Sequence, residues 1–453
     1  MTRPGAATGT GRRRLDGWGR ATSSHATVTG PLTAEAAAEL LASRPPRGVL
    51  ARGSGCSYGD AAQNAGGVVL LPDPDAGIRV DHARGTVRAA AGATFRQLLH
   101  ATVPLGLLPP VLPGTARLTL GGAVAADVHG KNHRRDGSIG AWLDSVQLLC
   151  PDGTLHDIGP AREPGLFRAT VGGMGLTGVV LAAELRLLRI ASARLRVTTR
   201  RAGSLDEVLE LLDSAPGRYT VAWIDTTSAG GGLGRGVVDS ADHLEHPDPR
   251  REPEGPVQRP SRTGRLTLPP LPLVTPRTAQ AFNSAWYHAA PRHRESVRDL
   301  TAFFHRLDAV PYWNRLAGPR GLVQYQFAVP GRAHGVLATV LEALQRSGAA
   351  PYLGTLKRFG PGEASGPLSF PLPGWALAVD VPVGAPRLAG TLDRLDRLVA
   401  EAGGRVYLAK DSRMSRDAFR AMYGPLDDWH AVRASVDPHA TMRSDLGRRL
   451  GLC

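Results

Sequence analysis

Over its first 190 residues the chain alternates short apolar runs with turn-forming residues. Runs at 48–51, 67–71, 78–80, 86–91 and 145–150 are too short for helices and predict strands. Pro151-Asp152-Gly153, directly after the last run, predicts a hairpin turn. Thr33 and Thr94 each stand before a stretch with helical character, and their hydroxyls suit the N-cap of helices over 34–42 and up to Val103. Further on the pattern predicts a strand over 321–329, a helix over 336–346, strands over 352–358 and 375–381, a helix over 387–401 and a strand over 405–409. In the last helix Leu388, Leu392, Leu395 and Leu398 share one face. That order, β-α-β-β-α-β, is the split-βαβ arrangement, and the whole reads as an α+β fold. Residues 228–275 are rich in glycine, proline and charge and are expected to be long flexible loops.

Composition narrows the class. The chain has 453 residues and 42% hydrophobic content, enough for two or three domains with ample core. Three cysteines, Cys56, Cys150 and Cys453, form neither a disulfide framework nor a C-x-x-C metal site, so a reduced compartment is expected and no metal is. Residues 1–20, expected to be flexible, carry Arg12-Arg13-Arg14 without an apolar stretch behind them, and no run of eighteen apolar residues follows. A cytoplasmic protein, or one peripheral to the cytoplasmic membrane, is the expectation. The net charge of +14 meets no recognition helix, zinc finger or RNA-binding aromatic motif, which argues against nucleic acid. It fits either a solvated arginine-rich surface or contact with anionic lipid.

The candidate chemistry lies in two glycine-rich stretches, Ala51-Arg-Gly-Ser-Gly-Cys-Ser-Tyr-Gly-Asp60 and Gly121-Gly-Ala-Val-Ala-Ala-Asp-Val-His-Gly130. Loops of this kind present backbone N–H groups that hold a pyrophosphate, which implies a dinucleotide. The one G-x-G-x-x-G match, Gly173 to Gly178, runs into strand-like Val179-Val180-Leu181 rather than a helix, so it is a poor Rossmann fingerprint.

These stretches, with Leu112-Pro113-Gly114-Thr115, His129-Gly130-Lys131-Asn132-His133 and Gly172 to Gly178, resemble the FAD domain of the vanillyl-alcohol oxidase and p-cresol methylhydroxylase superfamily. Tyr325-Gln326-Phe327, Lys357, 371–379, 407–413 and Ser444-Asp445 extend the likeness, from about Leu15 onward, to the branch that oxidises decaprenylphosphoryl-β-D-ribose. The resemblance implies a two-part FAD-binding domain over 21–192 and 405–453, and a substrate (cap) domain with an antiparallel sheet and helices over 193–404. It implies noncovalent FAD held by residues 51–61, namely Ala51, Arg52, Gly53, Ser54, Gly55, Cys56, Ser57, Tyr58, Gly59, Asp60 and Ala61. Gly114, Thr119, Leu120, Gly121, Gly122, Ala126, Asp127, Val128, His129, Val180 and Tyr407 complete that set.

Oxidising a secondary alcohol needs a hydride acceptor, a proton acceptor and cations that tolerate negative charge. The resemblance gives His129 and Lys410 the catalytic roles, and assigns substrate contacts to Lys131, Trp223, Gln324, Gln326, Lys357, Ala378 and Lys410. If 405–409 is a strand, Leu408 and Lys410 share one face and Tyr407 and Ala409 the other. The implied partners are a lipid-linked sugar phosphate as substrate and a separate NAD(P)H-dependent keto-reductase.

Two departures bear on the substrate. Where the branch carries Trp-Asn-Ile-Cys-Val-Asp, this chain has Trp375-Ala-Leu-Ala-Val-Asp380, without the pocket Asn and without the Cys that benzothiazinone inhibitors attack. Cys56 stands where the branch has Arg and where some superfamily members carry a flavin-bonding His; a buried structural thiol is the expectation. The alternatives are a carbohydrate or alditol oxidase with another substrate, and a non-catalytic flavin or polyprenyl-phosphate binding protein.

Overall fold

The computed structural model describes residues 10–31, 33–73, 77–245, 272–310, 312–362 and 364–453. Strands β1 (Gly11–Asp16), β2 (Ser23–Thr29), β3 (Val49–Ala51) and β4 (Val68–Leu70) form a sheet in the order β1-β2-β4-β3, with helix α1 (Ala34–Ala42) capped by Thr33. The N-terminus from residue 11 is thus an edge strand, contrary to the flexible segment expected through residue 20. Trp18 N–H donates to the Ser57 carbonyl at 2.7 Å and Gly19 N–H to Tyr58 at 3.0 Å, which ties the segment down.

The next strands are β5 (Ile78–Asp81), β6 (Thr86–Ala90), β7 (Leu107–Leu108), β8 (Leu143–Leu149), β9 (Leu155–Ile158), β10 (Val179–Arg186) and β11 (Leu188–Arg189). Five of them form a sheet in the order β5-β6-β10-β8-β9, and β7 pairs with β11. The β8–β9 hairpin turns at 150–154 over Gly153, whose φ of 87° lies in the left-handed region. Helix α2 (Phe95–Thr102) starts at a capping box of Thr94 and Gln97. Helices α3 (Leu120–Ala125), α4 (His133–Asp136) and α5 (Pro164–Thr170) follow.

The remaining strands are β12 (Arg194–Ala202), β13 (Tyr219–Ile224), β14 (Gly236–His243), β15 (His293–Asp299), β16 (Leu322–Pro330), β17 (Leu353–Phe359), β18 (Gly374–Pro382) and β19 (Arg405–Val406). They make one antiparallel sheet in the order β15-β12-β14-β13-β17-β18-β16-β19. Its second half is the split-βαβ unit expected from sequence, with α9 (Gly335–Arg346) and α10 (Leu388–Glu401) as crossovers. Its first half repeats that strand order as a mirror, joined where β13 pairs with β17. Helix α6 (Leu205–Ser214) packs on β12, β13 and β14 and α10 on β16 and β19, so they cover one face. Helix α7 (Pro276–Ala289) lies against the other face, where Trp286 stands 6.4 Å from Trp223 and Arg201 and Arg235 sit over the Tyr287 ring. Helix α8 (Leu300–Phe304) follows β15.

Two expectations need correction here. Residues 236–243, placed in flexible loops on composition, are the mostly buried strand β14, whose Val237, Val238 and Ala241 are sheltered by the sheet's neighbours; residues 246–271 lie outside the described set. The strand expected over 405–409 ends at Val406. Tyr407 donates its hydroxyl proton to the Ala126 carbonyl at 2.8 Å, which draws the chain out of the sheet toward the N-terminal domain. The chain then turns, with Lys410 N–H on the Tyr407 carbonyl at 2.9 Å, so Leu408 and Lys410 do not share a strand face. Helices α11 (Arg416–Tyr423), α12 (Asp427–Val436) and α13 (Asp445–Leu450) return to the first sheet, where Arg449 grips Asp60 at 2.8 and 2.9 Å.

Candidate active site

A cleft of about 2720 Å³ separates the inner face of the eight-stranded sheet from the two glycine-rich stretches. A single small-ligand pocket is roughly 300–1,000 Å³, so this one has room for a dinucleotide and a second molecule together. The sheet supplies its wall largely by alternation: Gln324 and Gln326 on β16, Ala376, Ala378 and Asp380 on β18, Leu353, Thr355 and Lys357 on β17, and Val221 and Trp223 on β13, where Ala222 also reaches the cleft. Register aligns them in rows, Gln326 beside Ala378 beside Thr355 beside Trp223, and Gln324 beside Asp380 beside Leu353.

The opposite wall is built for close approach. A Cβ on Gly53 would come within 2.1 Å of the Thr119 hydroxyl, and one on Gly121 within 2.7 Å of the Ala91 methyl. Each stretch therefore packs its glycine backbone against a neighbouring side chain with no room for more, and Gly55 adds a φ of 66°. Arg52 braces the first loop by donating to the Ala62 and Asp16 carbonyls at 2.7 and 2.8 Å. Tyr58 N–H donates to the Ala409 carbonyl at 3.0 Å, locking the loop to the segment that carries Lys410.

Between the walls stands His129. Its ring is boxed by Phe359, Phe370 and Tyr407 at 4.9, 5.4 and 5.3 Å, and Gln326 Nε2 donates to its Nε2 at 3.0 Å. Burial, then the charges of Lys357, His133 and Lys410, hold its pKa well below 6.5, so the ring is neutral with Nε2 as an acceptor. Lys410 Nζ rests 3.9 Å from the centre of the Tyr58 ring. Burial pushes both Lys410 and Lys357 down to about 8. Lys131 is pushed well down by burial, its Nζ donating to the Phe303 carbonyl over the Phe303 ring.

Residues 31–159 match the FAD binding domain family. The chain is 40% identical to the decaprenylphosphoryl-beta-D-ribose oxidase of Mycolicibacterium smegmatis, over 97% of its own length and 98% of that protein. The chain belongs to the decaprenylphosphoryl-β-D-ribose oxidase family. It is also 41% identical to an uncharacterized protein of Streptomyces coelicolor, over 79% of this chain and the whole of that one. A putative D-arabinono-1,4-lactone oxidase of Neurospora crassa shares 28% identity over 31% of this chain and 25% of its own.

As a member of this oxidase family the chain is an FAD-dependent oxidoreductase, and the glycine cradle fits that cofactor. Of the residues assigned to FAD from sequence, 51–58, Ala61, Gly114, Thr119, Gly121, Gly122, Ala126, Val128, His129, Val180 and Tyr407 line the cleft. Four do not. Gly59 packs on the Asp411 carbonyl, Asp60 is held by Arg449, Leu120 faces the core from α3, and buried Asp127 accepts the Gly140 N–H at 3.0 Å. They shape the loops without facing the cleft. Every residue assigned to substrate, Lys131, Trp223, Gln324, Gln326, Lys357, Ala378 and Lys410, lines it.

Sequence reasoning passed over Asp380, which is buried in the wall and accepts from Gln324 Nε2 at 2.8 Å. It also passed over a signal in plain composition. Among 54 basic side chains the chain has only three lysines, Lys131, Lys357 and Lys410, and all three line the cleft, half-buried.

Proposed function

We propose that this chain oxidises the 2′-hydroxyl of decaprenylphosphoryl-β-D-ribose to the 2′-keto sugar. The observation that carries this reading is Lys357, a half-buried ammonium in the middle of the sheet wall whose pKa is lowered by burial alone, with no carboxylate set against it among the described residues. An uncompensated charge drawn partly out of water is costly, and it marks the place of an anion. A phosphodiester one bond from the sugar supplies that anion beside Gln326, which suits a sugar hydroxyl.

Bound FAD, held by the loops at 51–58 and 119–129, supplies the two-electron acceptor for the hydride. His129 is the proton acceptor: its neutral Nε2, which takes a hydrogen bond from Gln326 in the substrate-free cleft, receives the hydroxyl proton once Gln326 turns to the sugar. The Lys357 charge is the second influence depressing it, after burial, so an anion seated on Lys357 raises the basicity of the imidazole when substrate arrives. Lys410 stays charged and tolerates the negative charge that builds up as the hydroxyl proton departs.

FAD is bound noncovalently: the Cys56 thiol, half-exposed in the cleft rather than buried as the sequence led us to expect, has its pKa raised by desolvation, and His129 is occupied by Gln326. Acid precipitation therefore releases the flavin. A separate nicotinamide-dependent reductase completes the epimerisation. Among the described residues no helix is long and apolar enough to cross a membrane, and the positive surface gives the enzyme peripheral contact with an anionic cytoplasmic leaflet that presents the lipid-linked substrate.

Ala376 and Ala378 favour a second reading. They stand beside Lys357 and Gln326, where side chains shorter than Asn and Cys leave the pocket wider. A bulkier or unphosphorylated sugar fits such a pocket. Anaerobic mixing with lipid-linked ribose phosphate, in parallel with free pentoses and alditols, separates the two: flavin bleaching by the free sugars alone refutes the first.

A further inference from the structure

Asp380 has no part in the chemistry above, yet it is placed beneath it. It sits on β18 opposite Gln324 of β16, almost wholly buried. One carboxylate oxygen accepts from Gln324 Nε2 at 2.8 Å, and that same nitrogen donates to the Tyr58 hydroxyl at 3.2 Å. The face of the Tyr58 ring carries the Lys410 ammonium at 3.9 Å. The other carboxylate oxygen is buried with no hydrogen-bond partner among the described residues. A buried carboxylate left half satisfied is expensive, and packing alone gives no reason to keep it.

We propose that Asp380 is the positioning residue of the Lys410 ammonium. Through Gln324 and Tyr58 it fixes the ring on which that ammonium rests, and its charge keeps the ammonium protonated in a pocket that otherwise favours the neutral amine. The groups facing Lys410 are Asp380 from β18, Tyr58 and Cys56 from the first glycine-rich loop, and Lys357 from β17; Tyr352, just before β17, faces Asp380. Of these, Asp380 is the principal influence raising the Lys410 pKa, against burial and Lys357; burial pushes the Asp380 carboxyl itself up to about 7, so its charge is present across the higher pH range in which Lys410 titrates. The consequence for the reaction rests on the reading that Lys410 acts in its charged form.

With only three lysines in the chain, FAD-loaded protein grown on ε-13C-lysine gives three ε-methylene signals, assigned by single Lys→Met substitutions. Asp380→Asn keeps an acceptor for Gln324 and removes the charge. It is expected to lower the Lys410 titration midpoint by about one pH unit, as loss of a nearby opposite charge does, while Lys131 and Lys357 hold theirs. The alkaline edge of substrate-driven flavin reduction moves down with it, and FAD content is unchanged. An unmoved Lys410 midpoint, or a rate lowered equally at every pH, overturns the proposal. Tyr58→Phe tests the relay with the charge left in place: the midpoint stays, and flavin reduction slows by on the order of tenfold with little change in KM. A parental rate in that variant overturns the positioning role. The NMR midpoints need no substrate, so failure of the lipid-linked sugar to reduce the flavin refutes the proposed function without touching this result.

Discussion

Lys357 offers a test in which stability and function move in opposite directions. Its side chain is half-buried in the cleft wall and its pKa falls from 10.5 to about 8 on folding, at most about 3 kcal/mol at about 1.4 kcal/mol per pH unit. Because the folded pKa is the lower one, folding disfavours the charged form. That cost is present in full below pH 8, fades as pH rises from 8 toward 10.5, and is gone above it. Lys357→Met keeps the length of the side chain and removes the charge. The substrate-free variant is therefore expected to unfold at a higher temperature than the parent at pH 7, by up to about 3 kcal/mol, with the gain shrinking to nothing near pH 10.5. The same change removes the proposed seat of the phosphate, so KM for the lipid-linked substrate rises at least tenfold while FAD content holds. Paired thermal melts from pH 7 to 10.5, with initial rates on the same preparations, read both effects. A variant less stable than the parent at pH 7, or a gain that ignores pH, refutes the reasoning that the site holds an uncompensated cation.

Gly53→Ala places a methyl against the Thr119 hydroxyl and is expected to lower FAD occupancy at least tenfold, measured as flavin absorbance per chain. His129→Ala and Lys410→Met should keep FAD and slow its reduction by substrate on the order of a hundredfold or more, read by anaerobic stopped flow. In the parent, kcat/KM falls above about pH 8 as Lys357 and Lys410 lose their protons, and a profile flat to pH 10 removes both from the charged machinery. Ala378→Cys, in the row of Gln326 and Thr355, should form a mass adduct after turnover with a nitroaromatic benzothiazinone, whereas the parent forms none, because only a thiolate captures the reduced electrophile.

Much of this site was legible in the sequence because its parts obey short-range rules. The apolar pattern along 321–329 and 375–381 predicted the strands, the family resemblance named Gln324, Gln326 and Ala378 on them as pocket residues, and the glycine spacing in 53–59 and 121–130 announced a cradle. What escaped was decided by contacts distant in sequence. Gly59 and Asp60 belong to a cofactor-like motif, yet Asp411 and Arg449, some 350 and 390 residues later, turn them to structural use. The glycine and proline content of 228–275 masked β14, whose eight residues acquire strand character only between β12 and β13. Lys410 was placed on a strand because Arg405 to Ala409 alternates; the Tyr407 bond to Ala126, across 281 residues, ends that strand three residues early.

The distribution of cations ties composition to chemistry. The chain uses arginine nearly everywhere a surface needs positive charge, and keeps lysine only at three half-buried positions lining the cleft. Guanidinium is planar, bulky and remains charged whatever its surroundings, so at the Lys357 or Lys410 position it would bring a permanent charge and several donors needing partners. An ammonium on a slim stem fits between Tyr58 and the sheet, and its pKa can fall to about 8 without unfolding the protein. Near neutral pH such a group is still charged, but weakly enough held that a substrate anion or a neighbouring carboxylate sets its state. That sensitivity is useful only where a charge must respond to what enters the cleft. It follows that Lys→Arg, mild on most protein surfaces, should be as damaging at 357 and 410 as loss of the charge.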